Sequence, residues 1–334
     1  MHPARLALGG TPEPLMGTTV LTNSTVLLAL GGNALAPDAT TGTIAQQFAQ
    51  TRAALHAALP FLRRGHRLAI VHGNGPQVGD ELLRGELAAD RVPPLPLGLC
   101  VAATQGTIGY MIEQSLQNAL MDEQISREVV TIITQVVVDP ADPALKRPLK
   151  FIGDRYSQER AEHLAERFGW SIAEQEAGVW RRVVPSPKPV RLINGRSIRH
   201  LVELGSIVIA SGGGGIPAFV MENGHYEGVD AVVDKDLTAA VLAEDIGAQE
   251  MYILTDVPEV YLHFGSDRQQ PIRKLSLHQA QDYLEAGHFP GGSMGPKMEA
   301  ALQFLKAGGE KVVVTNIDSM EQAIVGGAGT TITA

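Results

Sequence analysis

The sequence has little cysteine, no long apolar run and no excess of basic residues, and each shortage excludes a class of protein. Cys100 is the single cysteine of 334 residues, which excludes an intramolecular disulfide framework and indicates a reducing, cytoplasmic compartment. No apolar run approaches the roughly 18 residues of a membrane-spanning helix. The net charge of −9, from 27 basic and 36 acidic residues, argues against nucleic acid or an anionic membrane as a partner.

The residue spacings of several well-known sites are absent as well. The ten histidines show no metal-binding spacing such as HExxH, and one cysteine is too few for a zinc site, so we predict no metal ligands in the chain. There is no GxxxxGK[ST] phosphate loop, and the glycines of residues 73–75 lack the spacing of a dinucleotide-binding fingerprint. Nothing in the pattern indicates covalent catalysis.

The beginning of the chain differs in character from the rest. Residues 1–25 are interrupted by glycine, proline and threonine and have no continuous apolar stretch of the kind a signal peptide contains. We therefore predict a disordered N-terminal extension over residues 1–25, followed by one domain over residues 26–334.

Short apolar runs that end at turn residues indicate the fold class. They are rich in valine and isoleucine and cover Val26–Leu30, Leu68–Val71, Val129–Val138, Ile207–Ala210, Met251–Leu254 and Val312–Val314. Such runs are typical of strands covered on both faces. Helical patterns alternate with them, at Ile44–Arg64, Ala102–Met121, Lys235–Ala243 and Pro296–Lys306. The alternation predicts an α/β fold, a three-layer αβα sandwich with right-handed crossovers around a mainly parallel central sheet.

One segment departs from this alternation. Residues 139–190 contain six prolines, which bracket a single helical pattern at Gln158–Phe168. The composition is that of a small protruding lobe or lid inserted into the domain, or of a surface excursion with no function of its own.

Glycine, in contrast, is abundant: 36 residues, or about 11% against the roughly 7% of an average protein. Many of the glycines collect in four loops, at residues 31–32, 73–75, 212–215 and 291–295. The first three of these loops directly follow predicted strands. Ligands of open α/β sheets bind beyond the carboxyl ends of the strands, and glycine lets backbone N–H groups approach an anion closely. Four such loops predict an anion site.

Two lysines support an anion at this place. Lys297 lies in the first turn of a predicted helix, and Lys235 follows Asp234, a good N-cap residue. A cation at a helix N-terminus opposes the helix dipole, so its presence beside two glycine loops indicates a shared anionic ligand. For Lys235, a solvated residue beside a cap is the alternative.

Eight stretches of the sequence resemble the carbamate kinases of the amino-acid-kinase superfamily. They are LALGGNAL (28–35), VHGNGPQVG (71–79), CVAATQGTIGYMI (100–112), WRRVVPSPKP (180–189), ASGGGGIP (210–217), GVDAVVDKDLTA (228–239), ILTDVPEVY (253–261) and GSMGPKMEAA (292–301). The resemblance extends over nearly the whole chain after residue 25. It implies the αβα sandwich with a lobe over the active site, and a homodimer. It also implies reversible phosphoryl transfer between ATP and carbamate, with carbamoyl phosphate and ADP as the substrates of the reverse reaction.

The resemblance also implies roles for particular residues. The implied catalytic residues are Lys235, Lys297, Asp236 and, on the lobe, Lys150. Those implied to hold the substrate and the transferring phosphoryl group are Gly31, Gly32, Asn33, Asn74, Gly75, Gly212, Gly213 and Gly214. Those implied to contact the nucleotide are Lys235, Asp256, Tyr261, Met294, Gly295 and Lys297. Magnesium would arrive with the ATP or ADP, and the high-energy acyl phosphate favours net ATP synthesis.

Two segments depart from the family pattern and keep alternatives open. Asp154 and Arg155 follow Gly153 where the family usually has Pro-Phe, and GSDRQQP follows Phe264 in place of the usual Gly-Lys-Pro-Asn-Gln. An active carbamate kinase is the first hypothesis. A related kinase with another small acid as acceptor, and a weakly active metabolite sensor or partner subunit, are the others. The sequence leaves open whether carbamoyl phosphate would come from arginine metabolism or from purine-derived ureido compounds.

Overall fold

The computed structural model describes residues 21–31, 42–289 and 293–334. In chain order, its strands are Thr25–Leu30 (β1), Arg67–His72 (β2), Val129–Thr131 (β3), Gln135–Val138 (β4), Lys150–Tyr156 (β5), Ser171–Glu176 (β6), Val179–Val184 (β7), Pro189–Leu192 (β8), Ile207–Ile209 (β9), Ile216–Val220 (β10), Tyr226–Gly228 (β11), Glu250–Leu254 (β12), Val260–Leu262 (β13), Gln270–Ile272 (β14), Lys274–Ser276 (β15), Lys311–Thr315 (β16) and Thr330–Thr333 (β17). Its α-helices are Ile44–Leu55 (α1), Leu59–Arg63 (α2), Gly75–Ala88 (α3), Leu97–Asp122 (α4), Gln158–Phe168 (α5), Gly195–Glu203 (α6), Lys235–Asp245 (α7), Leu277–Glu285 (α8), Met294–Lys306 (α9) and Met320–Ile324 (α10). None of these helices has the combined length and apolar character that crossing a bilayer requires.

An eight-stranded sheet forms the centre of the molecule, in the order β15-β17-β16-β12-β1-β2-β9-β3. The six strands from β16 to β3 are mutually parallel. β17 pairs antiparallel to β16, and β15 runs parallel to β17. The predicted mainly parallel sheet is therefore confirmed.

Side chains that alternate along each central strand create two cores, one on each face of the sheet. In β1, Leu27 and Ala29 belong to the core that packs against α6, α7 and α9. Val26 and Leu28 point the other way, into the core formed with α1, α2 and α4. Because a strand's side chains alternate with period two, a strand buried on both faces must be apolar throughout. This arrangement is the predicted αβα sandwich.

Two predicted elements are each split in the structure. The sequence pattern predicts one helix over Ile44–Arg64. In the structure, α1 ends at Leu55 and α2 begins at Leu59, with Pro60 in its first turn. Pro60 lacks the N–H for a bond to residue 56, so one continuous helix cannot form. Similarly, Val129–Val138 forms two strands, of which β3 joins the central sheet and β4 joins a separate sheet in the order β11-β10-β4-β8.

Residues 150–184, here called the lobe, form a sheet of their own. β5, β7 and β6 pair antiparallel in that order, and α5 packs on them with Ser157 as its N-cap and Gly169 in the left-handed conformation at its end. The chain leaves the rest of the domain after β4 and returns through β8, which pairs antiparallel with β4. The lobe rests on α3 and α4, where Ile152 joins a small apolar cluster with Leu82 and Cys100.

The predicted N-terminal extension lies outside the described residues as far as residue 20. Of the residues that follow, the Thr22 backbone N–H donates to the Gly65 carbonyl at 2.8 Å, and β1 begins at Thr25.

Candidate active site

The loops that follow β2 and β9, and Gly31 directly after β1, lie at the carboxyl end of the central sheet, where parallel strands place their ligand sites. A cavity of about 290 Å³ opens there. Its lining comes from six parts of the chain and comprises Gly73, Asn74, Gly75, Val78, Lys150, Phe151, Ile152, Arg181, Gly213, Val232, Val233, Asp234, Lys235, Asp236, Ser293 and Lys297. The structure therefore brings together seven of the implied site residues, with the lobe as one wall.

Two lysines from different helices share one aspartate in this cavity. The Lys235 ammonium donates to Oδ1 of Asp236 at 2.6 Å, and the Lys297 ammonium donates to Oδ2 at 2.9 Å. The Asp236 side chain is only 4% exposed, and the lysine side chains are 14% and 12% exposed. Both carboxylate oxygens are thus bound, and the two ammonium groups are held side by side at the N-termini of α7 and α9.

The pKa values of Asp236 and Lys235 reflect burial and charge in competition. Burial alone would raise the pKa of Asp236, but the two lysines and their hydrogen bonds lower it further than burial raises it, so the carboxylate stays ionised. Burial lowers the pKa of Lys235, and the nearby Lys297 lowers it too, whereas Asp236 opposes both effects. A bound anion would favour the charged form of Lys235.

Asp234 has a second role that the sequence did not reveal. As predicted, it is the N-cap of α7, and its Oδ1 accepts a hydrogen bond from the Asp236 backbone N–H at 2.9 Å. Its Oδ2 also accepts from the Lys150 ammonium of the lobe at 3.4 Å. One carboxylate therefore joins the lobe to the helix that carries Lys235.

The glycine loop after β9 packs too closely for any larger residue. Gly213 and Gly214 have φ of +64° and +90°, and a Cβ would lie 2.2 Å from the Asn74 amide nitrogen at Gly213 and 2.1 Å from the Val233 carbonyl oxygen at Gly214. Gly213 lines the cavity. Gly212 and Gly214 are buried behind it, with the Gly214 carbonyl accepting from the Thr238 hydroxyl at 2.9 Å. These two glycines therefore support the loop rather than line the cavity.

Asn74 and Gly75 form the start of α3. Gly75 is the first residue of the helix and a Cβ there would meet no atom within 4 Å. The first N–H groups of a helix have no partner within it, so this end of α3 offers donors to an anion. Gly31 follows β1, where a Cβ would lie 2.9 Å from the Leu254 carbonyl oxygen. Gly32 and Asn33 lie outside the described residues.

A second, more apolar cavity of about 220 Å³ adjoins the first. It is lined by Thr255, Asp256, Val257, Tyr261, Phe264, Phe289, Ser293 and Met294. Ser293 lines both cavities. The predicted nucleotide-binding residues Asp256, Tyr261 and Met294 therefore surround one space next to the lysines, and Gly295 lies buried in the first turn of α9 between Met294 and Lys297.

Sequence reasoning missed two residues, one beside a glycine loop and one on the lobe. His72 ends β2 and is 1% exposed, with its Nδ1 2.9 Å from the Gly73 carbonyl oxygen. Burial lowers the pKa of His72 to about 4, and Lys235 lowers it as well, so its imidazole is neutral at pH 7. Arg181 of the lobe lines the larger cavity and donates to the Gly153 carbonyl at 2.7 Å. Both lie inside the quoted motifs, but nothing in their spacing distinguished them.

The charges of the larger cavity favour an anionic ligand. Lys150, Arg181, Lys235 and Lys297 supply four positive charges, against two negative charges from Asp234 and Asp236. Both carboxylates are already engaged by lysines. Within the described part of the chain, no group of three or more His, Cys, Asp or Glu side chains could hold a metal ion.

The two departures from the family pattern lie outside both cavities. The Asp154 carboxylate accepts from the Arg155 backbone N–H at 2.7 Å, and the Arg155 guanidinium lies 3.7 Å from Glu176 within the lobe. Residues 265–269 are exposed and line neither cavity.

Comparison with known proteins agrees with this geometry. A family model described as "Amino acid kinase family" matches residues 24–316. A carbamate kinase from Pyrococcus horikoshii is 42% identical over 92% of this chain and 98% of its own length. Carbamate kinase 2 from Enterococcus faecalis is 40% identical over 88% of this chain and 94% of its own length. The solved structure of a carbamate kinase from Giardia lamblia bound to AMP-PNP superposes with a TM-score of 0.87 at 35% identity, covering 93% of this chain and 98% of that one.

Proposed function

The chain belongs to the amino acid kinase family, and we propose that it is a carbamate kinase that transfers a phosphoryl group reversibly between ATP and carbamate. The observation that carries the proposal is the pair Lys235 and Lys297, held by Asp236 where the two cavities meet. Carbamate kinases of 40–42% identity over most of the chain support the same activity.

In the direction of ATP synthesis, an oxygen of the ADP β-phosphate attacks the phosphorus of carbamoyl phosphate. The bond between that phosphorus and the carbamoyl oxygen breaks, and carbamate leaves as an anion. Neither the nucleophile nor the leaving group needs a proton transfer, so the reaction requires no general base. Because an acyl phosphate is a high-energy donor, the net direction is toward ATP.

The chain's own groups act by position and charge. The transition state of phosphoryl transfer is loose, with its charge on the three equatorial oxygens, so fixed cations and N–H donors stabilise it. Lys235 and Lys297 bridge the nucleotide phosphates and the transferring group, and Asp236 keeps the two ammonium groups together despite their repulsion. The α3 N-terminus, from Gly75, and Gly213 provide backbone donors on the opposite side. In this proposal Gly31, Gly32, Asn33, Gly212 and Gly214 complete the phosphoryl-binding loops.

The adjoining apolar cavity takes the base and ribose of the nucleotide, with Asp256, Tyr261, Met294 and Gly295 around them. Magnesium would be carried by the nucleotide phosphates. The residues of the larger cavity fit this arrangement, because its two carboxylates, Asp234 and Asp236, already bind lysines. Lys150 on the lobe covers the carbamoyl phosphate and makes the lobe a lid.

We further propose a homodimer in the cytoplasm. The dimer rests on membership of the family. The compartment rests on Cys100, which is buried and free of a disulfide.

ATP formation from ADP, magnesium and carbamoyl phosphate tests the proposal, with Lys297→Ala measured in parallel. We expect ATP production that the substitution abolishes. Production no faster than in the absence of protein, from a folded sample, would overturn the proposed activity. Faster turnover with an amino acid or acetate as acceptor, measured in the reverse direction, would instead identify another acid kinase.

A further inference from the structure

The side chain of Asn74 is unusual for its position. It occupies the N-cap of α3, where an asparagine oxygen normally accepts from a backbone N–H of its own helix, but no such bond is made. Instead, Nδ2 donates to the Thr104 hydroxyl on α4 at 2.8 Å. Asn74 is 9% exposed, and it lines the larger cavity. The amide therefore bonds to another helix and does not cap its own.

Thr104 determines which way this amide faces. Thr104 is 1% exposed, and its hydroxyl donates its single proton to the Val101 carbonyl at 2.8 Å. It then has only lone pairs for Asn74, so the asparagine must present its NH₂ group to it. Gly213 packs against the other side of the amide, because a Cβ there would lie within 2.4 Å of its nitrogen, carbon and oxygen. The amide is thus held flat between a threonine and a glycine.

This orientation leaves Oδ1 of Asn74 as an acceptor. Within the described part of the chain, no donor bonds to it. This oxygen is not fully buried. Because Asn74 lines the larger cavity, a ligand there can reach it. A neutral acceptor stands out in a cavity with four cationic side chains, since an anion's oxygens need donors.

We propose that Oδ1 of Asn74 accepts a hydrogen bond from the amino group of carbamate or carbamoyl phosphate, and that Thr104 is the positioning residue that aims it. This inference rests on the proposed function. The carbamoyl group differs from an acetyl group of nearly the same shape by carrying N–H donors where acetyl has a methyl group. A site built to bond an N–H discriminates strongly against an analogue without it, because its own polar group is then buried unpaired.

The experiment measures kcat/KM for ATP formation with carbamoyl phosphate and with acetyl phosphate as donors. Thr104→Val keeps the shape of the side chain but removes the hydroxyl, and Thr104→Ser keeps the hydroxyl. We expect Thr104→Val to reduce the preference for carbamoyl phosphate by about 10-fold or more, mainly by lowering kcat/KM for that donor. We expect Thr104→Ser to keep the preference within about threefold of the unaltered protein. Asn74→Ala should lower the preference for carbamoyl phosphate at least as much as Thr104→Val does.

Equal losses for both donors in Thr104→Val and Asn74→Ala, with the ratio unchanged, would overturn the inference and make the contact structural only. Thermal unfolding of each variant shows whether it is folded. If Thr104→Val does not fold, the ratio of kcat/KM for the two donors in Asn74→Ala decides the question. No ATP from either donor with the unaltered protein would overturn the proposed function and this inference with it. A changed ratio cannot arise from a merely destabilised enzyme, because destabilisation lowers both rates alike.

Discussion

Asp234 binds Lys150 at 3.4 Å and thereby joins the lobe to the helix that carries Lys235. The other ion pairs between the lobe and the remaining described residues have their charges arranged in the same way. They are Arg160 with Glu86, Arg167 with Asp90, and Arg182 with Asp230. In all four pairs the cation belongs to the lobe and the carboxylate to the rest of the domain. The lobe is thus held over the cavity by complementary charge as well as by the apolar contact with α3.

Asp234→Asn should separate the two roles of this residue. Asparagine caps a helix as well as aspartate does, so we expect stability within about 0.5 kcal/mol of the unaltered protein. The lost charge no longer holds Lys150 over the cavity, and we expect KM for carbamoyl phosphate to rise several-fold with a smaller change in kcat. Steady-state kinetics and urea unfolding check both parts.

Asp234→Ala is the matched control, because it removes the cap too and should cost about 1 kcal/mol of stability. An unchanged KM in Asp234→Asn would show that the pair with Lys150 does not position the lobe.

Removal of Lys235 or Lys297 should slow catalysis severely without unfolding the protein. Lys235→Ala and Lys297→Ala each take away a fixed charge at the transferring group, and we expect kcat to fall on the order of 10³-fold. Lys306→Ala, on the exposed side of the same helix as Lys297, should leave kcat unchanged. Near-normal turnover of both Lys235→Ala and Lys297→Ala, measured as ATP formation, would contradict the proposed mechanism.

Two glycines of the site should respond to alanine in opposite ways. At Gly213 an added methyl group meets the Asn74 amide at 2.2 Å and φ is +64°, so we expect a loss of stability of at least about 1 kcal/mol and of nearly all activity.

At Gly75 the methyl group meets nothing within 4 Å, so stability should stay the same or rise by up to about 1 kcal/mol. The methyl group would project into the cavity, and we expect KM for carbamoyl phosphate to rise. Denaturant midpoints and KM, measured together on both variants, distinguish the two cases. Equal destabilisation by both would be inconsistent with the loop geometry.

His72 should make stability depend on pH between 6.5 and 4. Its pKa in the folded protein is lowered to about 4 by burial, from an ordinary 6.5. Over this interval the unfolded chain binds a proton that the folded protein does not, so stability is present above pH 6.5 and is lost as the pH falls. The full effect is about 3 kcal/mol.

His72→Asn keeps a donor near the Gly73 carbonyl and removes the titration. Urea unfolding at pH 7.5 and pH 5 should give a smaller difference for the variant than for the unaltered protein. The same difference in both would show that His72 does not carry this dependence.

The central strands and the capped helices could be predicted from the sequence because their signals are local. An apolar run that stops at a turn residue marks a strand such as β12, and Asp234 marks the start of α7 whatever surrounds it. The glycine loops could be placed at one edge of the sheet because parallel strands must end together. These short-range rules were enough to predict the sandwich and to place Asn74, Gly213 and the two lysines around one cavity.

Other elements depended on contacts that the sequence does not display. The apolar run from Val129 to Val138 gives no sign that the chain leaves the central sheet near Thr134, whose backbone N–H donates to the Gln105 side chain instead. The strands of the lobe are half exposed and polar, so they carry no continuous apolar run. Thr104 was visible only as one threonine of a helix. Its significance comes from Asn74, thirty residues away.

The position of β1 has a consequence for how the protein is made. β1 pairs with β2, which follows soon after it, and with β12, which is separated from it by over two hundred residues. The Thr25 backbone N–H bonds to Gln249 across 224 positions. During synthesis, β1 emerges from the ribosome long before its second neighbour, and Lys297 follows later still. The sheet of the nascent chain therefore stays incomplete until β12 has been made. A truncated product that lacks α9 would keep the glycine loops after β2 and β9 but would lack Lys297, and the proposed mechanism predicts that it is inactive.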